Sequence, residues 1–272
     1  MERRTFLKTA SMSGGLLTTL WFSRRLGAAA ENEFPLTDLH CHLTPTFTID
    51  QVMEISRKTG VKFGIVVNPG GPVSDDAGLR RFIDSLKPYP VYRGLQPMSP
   101  GWSGSFSPDT IKLLDYVLMD AQTIRNGNSY GETLRIWNFD TYVDDSQRFM
   151  ETYMTHILEV INNDEPLNIF GWPLFLPVCI ARDYYTLRTE ERMRAIIAAL
   201  KKRGLAVEIN DLAHTPHERF IGMAKEQGLK FTFGSDTRDQ KAGRLDYCKY
   251  VAKKCGLKSD DFFVPARALR RA

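Results

Sequence analysis

The chain has 272 residues, with 36 Lys or Arg, 32 Asp or Glu and a formal net charge of +4 at pH 7. Five of the basic residues and one of the acidic residues lie in the first 30, so the remainder carries 31 of each and is near neutral. No basic tract is left there to favour nucleic acid as a partner. About 240 residues suffice for one barrel-sized domain with a substantial core.

Residues 1–30 are predicted to be an export signal and not part of the fold. The segment Arg3–Lys8 reads Arg-Arg-Thr-Phe-Leu-Lys and resembles the twin-arginine export motif. The mildly apolar residues 10–22 are too short and too polar for a permanent membrane span, and Ala28–Ala30 fits a signal cleavage site. We therefore expect the twin-arginine export machinery as a partner and residues 31–272 as a periplasmic or otherwise exported domain. The alternative is an uncleaved N-terminal anchor.

Apolar, β-branched segments alternate with segments of helical spacing through the rest of the chain. Strands are predicted at 36–44, 61–67, 91–96, 116–119, 167–170, 205–210 and 229–234. Helices are predicted at 49–58, 76–86, from 107, and at 146–162, 189–203, 216–227 and 245–254, with a long loop at 125–140. Seven successive β–α units predict an α/β fold in which a parallel sheet closes into a seven-stranded TIM-like barrel.

Two histidines, His40 and His42, lie on either side of Cys41 in the first predicted strand. Side chains two residues apart on a strand point to the same side, so both imidazoles can bind one metal ion. Asp38 could hold a ring nitrogen from behind. The alternative is a strand end with two histidines that face the same way by chance. Because this pair begins a long β–α pattern, we favour the metal site.

The four cysteines are predicted to be free thiols. Cys248 and Cys255 lie two helical turns apart, roughly 10 Å along a helix axis, which is too far for a disulfide. Cys41 should face away from the histidines on either side of it, and Cys179 lies in a loop-like segment.

In a β/α barrel, the chemistry lies on the loops that follow the carboxyl ends of the strands. Those positions are His40, His42, Asn68, Gln96, Asp120, Gln122, Trp172, Glu208, Asn210, Asp236 and Arg238.

The segments Asp38–His42, Glu208–Asn210 and Ala224–Asp236 are similar to the opening, sixth-strand and closing motifs of the polymerase and histidinol phosphatase (PHP) family. The resemblance covers residues 34–257. It implies a distorted seven-stranded β/α barrel of PHP type, in which up to three metal ions serve phosphoester hydrolysis.

The middle of the chain departs from that family pattern. Family ligands on the second to fifth strands are replaced, and the final histidine becomes an arginine; the replacing residues are Asn68, Gln96, Gln122, Trp172 and Arg238. Clustered divalent ions need anionic and imidazole ligands to offset their mutual repulsion. The resemblance therefore implies one divalent ion (zinc, manganese or iron), held by His40, His42 and Asp236 in place of a trinuclear centre.

These residues predict an exported metal-dependent hydrolase that acts on a small ester or phosphoester. Asp236 or Glu208 would take the proton, Arg238 would neutralise the developing anion, and Arg238, Trp172, His214 and Gln96 would bind the substrate. Structural roles stay open for each of them: a turn cap for Asp236, ion pairs for Glu208 and Arg238, packing for Trp172 and a turn for His214. The alternative function is a non-catalytic PHP-fold protein that binds a small ligand.

Overall fold

Seven parallel strands close into a barrel in the computed structural model, which describes residues 34–266. In chain order the strands of this part are β1 Thr37–Cys41, β2 Lys62–Val67, β3 Tyr92–Leu95, β4 Tyr116–Met119, β5 Thr123–Ile124, β6 Leu134–Arg135, β7 Ile169–Phe170, β8 Ala206–Asn210 and β9 Phe231–Gly234. The barrel order is β1-β2-β3-β4-β7-β8-β9, with β9 paired back to β1. The predicted α/β, TIM-like barrel is confirmed. The predicted signal segment, residues 1–30, lies outside the described residues.

Helices follow the barrel strands as the sequence pattern indicates. They are α1 Ile49–Thr59, α2 Asp76–Leu86, α3 Pro108–Ile111, α4 Ser146–Asn162, α5 Tyr184–Leu187, α6 Glu190–Arg203, α7 Glu218–Glu226 and α8 Asp246–Lys254, with 3₁₀ turns at Trp102–Ser105, Val178–Asp183 and Ser259–Asp261. Helix α6 shows why the boundaries are readable: the Thr189 side chain accepts a hydrogen bond from the Arg192 amide, and Gly204 ends the helix at φ 67°. No helix of the described part is long and apolar enough to cross a membrane.

Two differences from the predicted elements lie between β4 and α6. The predicted loop at 125–140 contains β6, which pairs antiparallel with β5 in a small sheet outside the barrel. The segment between β7 and α6 contains a 3₁₀ turn and the single-turn helix α5. Both elements are too short for a periodic pattern to be visible in the sequence.

The barrel interior is filled by one small apolar cluster with members from six of the barrel strands. Its buried residues are Leu39, Val66, Tyr92, Tyr116, Leu118, Ile169 and Ala206. The Tyr116 hydroxyl donates to the Leu39 carbonyl at 2.6 Å, which satisfies its one polar atom inside the barrel. Gly64 and Gly94 leave space for this ring, because a Cβ added to them would lie 2.9 and 2.5 Å from Tyr116 Cζ.

A larger apolar core lies between the outer surface of the barrel and the helices. Alternate strand residues such as Ile65, Val117 and Val207 face this core. Cys41 and Cys248 are buried in it as free thiols, and Cys179 and Cys255 are also free, as predicted.

A bulge in β1 decides which side chains of the first strand face the interior. Asp38 pairs with Phe63, but Cys41 pairs with Ile65, so β1 uses one more residue than β2 over the same distance. As a result, Leu39 joins the inner cluster, and His40 directly after it also points inward and contacts Glu208. The bulge therefore places an imidazole directly above the apolar interior.

Candidate metal centre

His40, His42 and Asp236 come together in a buried cluster. Their potential ligand atoms lie within 4.8 Å of one another. Asp236 Oδ1 lies 3.3 Å from His40 Nε2 and 3.5 Å from His42 Nε2. Both Nε2 atoms are buried, and neither has a hydrogen-bond partner among the described residues. Two buried imidazole nitrogens without a hydrogen bond and one carboxylate oxygen therefore converge, and together they could hold a metal ion.

The neighbouring positions of β1 and β9 create this cluster. Asp38 pairs with Phe233, and beyond the strand ends the His42 amide donates to the Thr237 carbonyl at 3.1 Å. Asp236 is the second residue after the end of β9 and has φ 46°, a left-handed conformation that aspartate tolerates better than most residues. Strained backbone of this kind is common at functional sites.

Glu208, on β8, fixes the orientation of the His40 ring. His40 Nδ1 lies 2.6 Å from Glu208 Oε1, and both side chains are fully buried. When Nδ1 carries the proton and donates it to this carboxylate, Nε2 keeps its lone pair and faces the cluster. The other carboxylate oxygen, Oε2, accepts a hydrogen bond from the Trp172 amide at 2.8 Å. Glu208 therefore has both oxygens in use.

Asp38 does not have the role expected for it. Its carboxylate accepts from the backbone amides of His40 at 3.2 Å, Ser235 at 2.9 Å and Gly243 at 3.1 Å, and so ties β1 to the loop after β9. Burial raises the pKa of Asp38 to about 6, although these hydrogen bonds lower it. The partner of the His40 ring is Glu208, a contact between residues 168 positions apart that local spacing cannot reveal.

Trp172 contacts the cluster through its indole nitrogen. Its Nε1 donates to Asp236 Oδ2 at 2.8 Å, so Oδ1 is the oxygen that faces the two imidazoles. The ring itself is buried and packs edge-on against Phe175, with ring centroids 4.9 Å apart. The sequence does not predict this positioning contact; it predicts substrate binding or packing for Trp172.

Arg238 forms an ion pair with the same carboxylate. Its Nη1 donates to Asp236 Oδ1 at 3.0 Å and to the Asp236 carbonyl at 3.2 Å. The side chain is 50% exposed, so part of the guanidinium faces solvent beside the cluster. The ion-pair alternative for Arg238 is thus observed, and the exposed part stays available to an anion.

Amide side chains line the mouth of the barrel beside the cluster. Gln96 Nε2 donates to Asp120 Oδ2 at 2.9 Å, and Asn68 Nδ2 donates to the Gln96 carbonyl at 2.9 Å. The backbone N–H of Gln122 donates to Asp120 Oδ1 at 3.1 Å. Burial raises the pKa of Asp120 to about 6. Neutral amides and one carboxyl therefore hold one another on this side of the barrel mouth.

His214, predicted to bind substrate, lies outside the buried cluster. It is exposed, and its ring stacks on Tyr247 with centroids 4.9 Å apart. A surface cavity of about 550 Å³ also lies elsewhere, beside α4, and its lining includes Arg125 and His156 but no residue of the cluster. The cavity and the buried ligand atoms therefore lie in different places, and the buried cluster is the candidate metal centre.

The electrostatics of the cluster favour positive charge at its centre. Burial alone would lower the pKa of His40, but the carboxylates of Asp236 and Glu208 outweigh it and raise that pKa to about 10. Burial likewise opposes ionisation of Asp236, yet His40 and His42 hold the pKa of its carboxyl well below the usual range. Burial lowers the pKa of His42, which favours its neutral, ligand form. These residues fit one divalent cation.

Comparison with known proteins gives no family for this chain. No family model matches it, and no curated protein matches it. A chain in the cryo-EM structure of archaeal ribonuclease P with mature tRNA is similar over 80% of this chain and 89% of that chain, with 9% sequence identity and a TM-score of 0.39. A likeness at this level carries no argument about family or function.

Proposed function

We propose that this protein is a metal-dependent hydrolase of the PHP type, with one divalent ion held by His40, His42 and Asp236. The observation that carries the proposal is the convergence of two buried, unpartnered imidazole nitrogens on one carboxylate oxygen. Three protein ligands leave positions free for water and substrate, as in catalytic zinc sites. We propose a small ester or phosphoester as the substrate.

The ion, which we propose is zinc, manganese or iron, supplies Lewis-acid activation of water and of the ester oxygen when bound. The chain's own residues have separate tasks. Glu208 keeps the His40 lone pair directed at the cluster, and Trp172 holds Asp236 Oδ2, so that Oδ1, which also accepts from Arg238, faces the two imidazoles. The exposed part of the Arg238 guanidinium would bind the anionic group of the substrate. Because both oxygens of Glu208 are in use, we assign it to positioning and not to proton transfer.

The amide side of the barrel mouth supports a single ion. Gln96 and Asn68 hydrogen bond within the protein, and carboxamides bind transition metals weakly. Gln122 Nε2 is buried without a partner among the described residues and is a donor suited to a substrate oxygen. We propose Gln96 and Gln122 as part of the substrate-binding wall.

We further propose that the protein is exported by the twin-arginine pathway, which the Arg3–Lys8 segment supports. N-terminal sequencing of periplasmic protein should begin close to Glu31. Recovery of the chain from the cytoplasm alone, with Met1 retained, would contradict export.

Metal content tests the function directly. Protein purified without chelator should contain close to one zinc, manganese or iron per chain by elemental analysis. His40→Ala and His42→Ala should lose the metal together with any hydrolysis of chromogenic phosphomonoesters or carboxylic esters. His214→Ala is the matched control, since this exposed histidine lies outside the cluster and should leave metal content unchanged.

Two outcomes would overturn parts of the proposal. Three metals per chain would show that residues on the middle strands also bind metal. No metal under any loading condition would favour the alternative function, a non-catalytic protein that binds a small ligand in the barrel mouth.

A further inference from the structure

Arg188, at the end of α5, is a buried cation that pairs with no acidic residue of the described part of the chain. Its side chain is 1% exposed and lies over the Tyr153 ring, with Cζ 4.7 Å from the ring centroid. Nη2 donates to the Phe175 carbonyl at 2.7 Å. Nε and Nη1 are buried and have no hydrogen-bond partner among the described residues. A guanidinium stays protonated in proteins, and its neighbours here, the Phe175 carbonyl and the phenols of Tyr153 and Tyr184, are all neutral.

A second arginine strengthens the positive potential at this place. Arg192, one turn further on in α6, donates to the Leu187 carbonyl at 2.7 Å and to Gln147 Oε1 at 3.3 Å. Both acceptors are neutral. The two guanidinium groups are close enough that Arg192 lowers the pKa of Arg188, after burial as the main cause. This contrasts with Arg194 on the same helix, which pairs with Glu190 at 2.5 Å.

A buried charge is costly unless a counter-charge and hydrogen bonds compensate it. The aromatic face of Tyr153 and the Phe175 carbonyl provide only part of that compensation. We propose that Arg188, assisted by Arg192, binds a small inorganic anion of halide size, enclosed between α4 and the segment from Phe175 to α6. Because Arg188 is only 1% exposed, we expect the anion to be small and monovalent.

This anion site is linked to the candidate metal centre by direct contacts. Arg188 holds the carbonyl of Phe175, the Phe175 ring packs against Trp172, and Trp172 donates to Asp236. An anion that fixes Arg188 therefore also fixes the loop that positions a metal ligand. The evidence for the anion site is the environment of Arg188 alone. The proposed anion site is therefore independent of the proposed hydrolase function.

Bromide tests the proposal in the wild-type protein. Crystals grown or soaked in sodium bromide should show an anomalous peak within hydrogen-bonding distance of Arg188 Nε or Nη1. In solution, chloride or bromide at about one hundred times its dissociation constant should raise Tm by roughly 5 to 10 °C relative to gluconate at equal ionic strength. A water at Arg188 with no anomalous signal, or a Tm that does not respond to halide, would overturn the site.

Variants then assign the effect to the residue. Arg188→Gln removes the charge and should abolish the halide dependence of Tm, and Arg188→Lys should retain part of it. Arg194→Gln, on the exposed face of α6, is the matched control and should respond to halide like the wild type. If Arg188→Gln does not fold, the wild-type crystal and the Arg188→Lys series still decide the question. A halide response in folded Arg188→Gln equal to that of the wild type would contradict the assignment.

Discussion

Glu208→Gln is the most specific perturbation of the candidate metal centre. It keeps the shape of the side chain but removes one of the two carboxylate oxygens that accept hydrogen bonds. His40 Nδ1 lies 2.6 Å from Oε1, and the Trp172 amide lies 2.8 Å from Oε2. A carboxamide has one oxygen, so its NH₂ group must face one of these two donors. The variant therefore loses one charge-assisted hydrogen bond, about 1.5 to 3 kcal/mol of local stabilisation, and leaves a buried donor without an acceptor.

We expect this loss to appear mainly as weaker metal binding, since His40 is no longer held as a ligand. Partners of metal-bound histidines typically contribute 10- to 100-fold in affinity, equivalent to about 1.4 to 2.7 kcal/mol. Competition against a chromophoric chelator measures the dissociation constant, and circular dichroism checks the fold. Glu54→Gln, which removes an exposed partner of Lys58, is the control and should bind metal like the wild type. An unchanged dissociation constant in folded Glu208→Gln would refute the positioning role.

Three further substitutions test the surroundings of the site and the barrel interior. Trp172→Phe removes the donor to Asp236 Oδ2 and should weaken metal binding several-fold in the same chelator competition, whereas an unchanged affinity would contradict the contact. Gly234→Ala adds a methyl group against Glu208 Oε1, so the variant should either bind little metal or fail to fold. A folded Gly234→Ala variant with full metal occupancy would contradict this expectation. Tyr116→Phe removes a 2.6 Å hydrogen bond to a carbonyl of β1 and should lower the free energy of unfolding in urea by about 0.5 to 1.5 kcal/mol, with metal content unchanged.

The strand pattern predicted the barrel, and the His40–His42 spacing predicted the candidate metal site. Alternating apolar strands and amphipathic helices predicted the barrel. Each element must bury one face, and the period of its hydrophobic pattern shows whether it is a strand or a helix. The carboxyl ends of parallel strands meet at one end of a barrel, so the sequence predicts that His40, His42 and Asp236 lie at the same end.

Contacts between distant residues account for what the sequence did not show. The roles of Glu208 and Trp172 depend on which atoms face each other across β7, β8 and β9, and no local pattern encodes that. The bulge in β1 changes the direction in which the His40 side chain points. One additional residue in a short strand leaves no visible change in the hydrophobic pattern of the sequence. Nothing in the sequence marks Arg188 as buried, since an arginine just before a helix is normally a solvated side chain.

The packing of Tyr116 against Gly64 and Gly94 constrains the order in which this barrel can change during evolution. Either glycine can accept a larger residue only after Tyr116 has become smaller, because the ring occupies the volume that a new side chain needs. Conversely, a smaller residue at 116 leaves a void until one of the glycines fills it. The three positions should thus substitute together among descendants of this chain, and an engineer who wishes to reshape the barrel interior should begin at Tyr116.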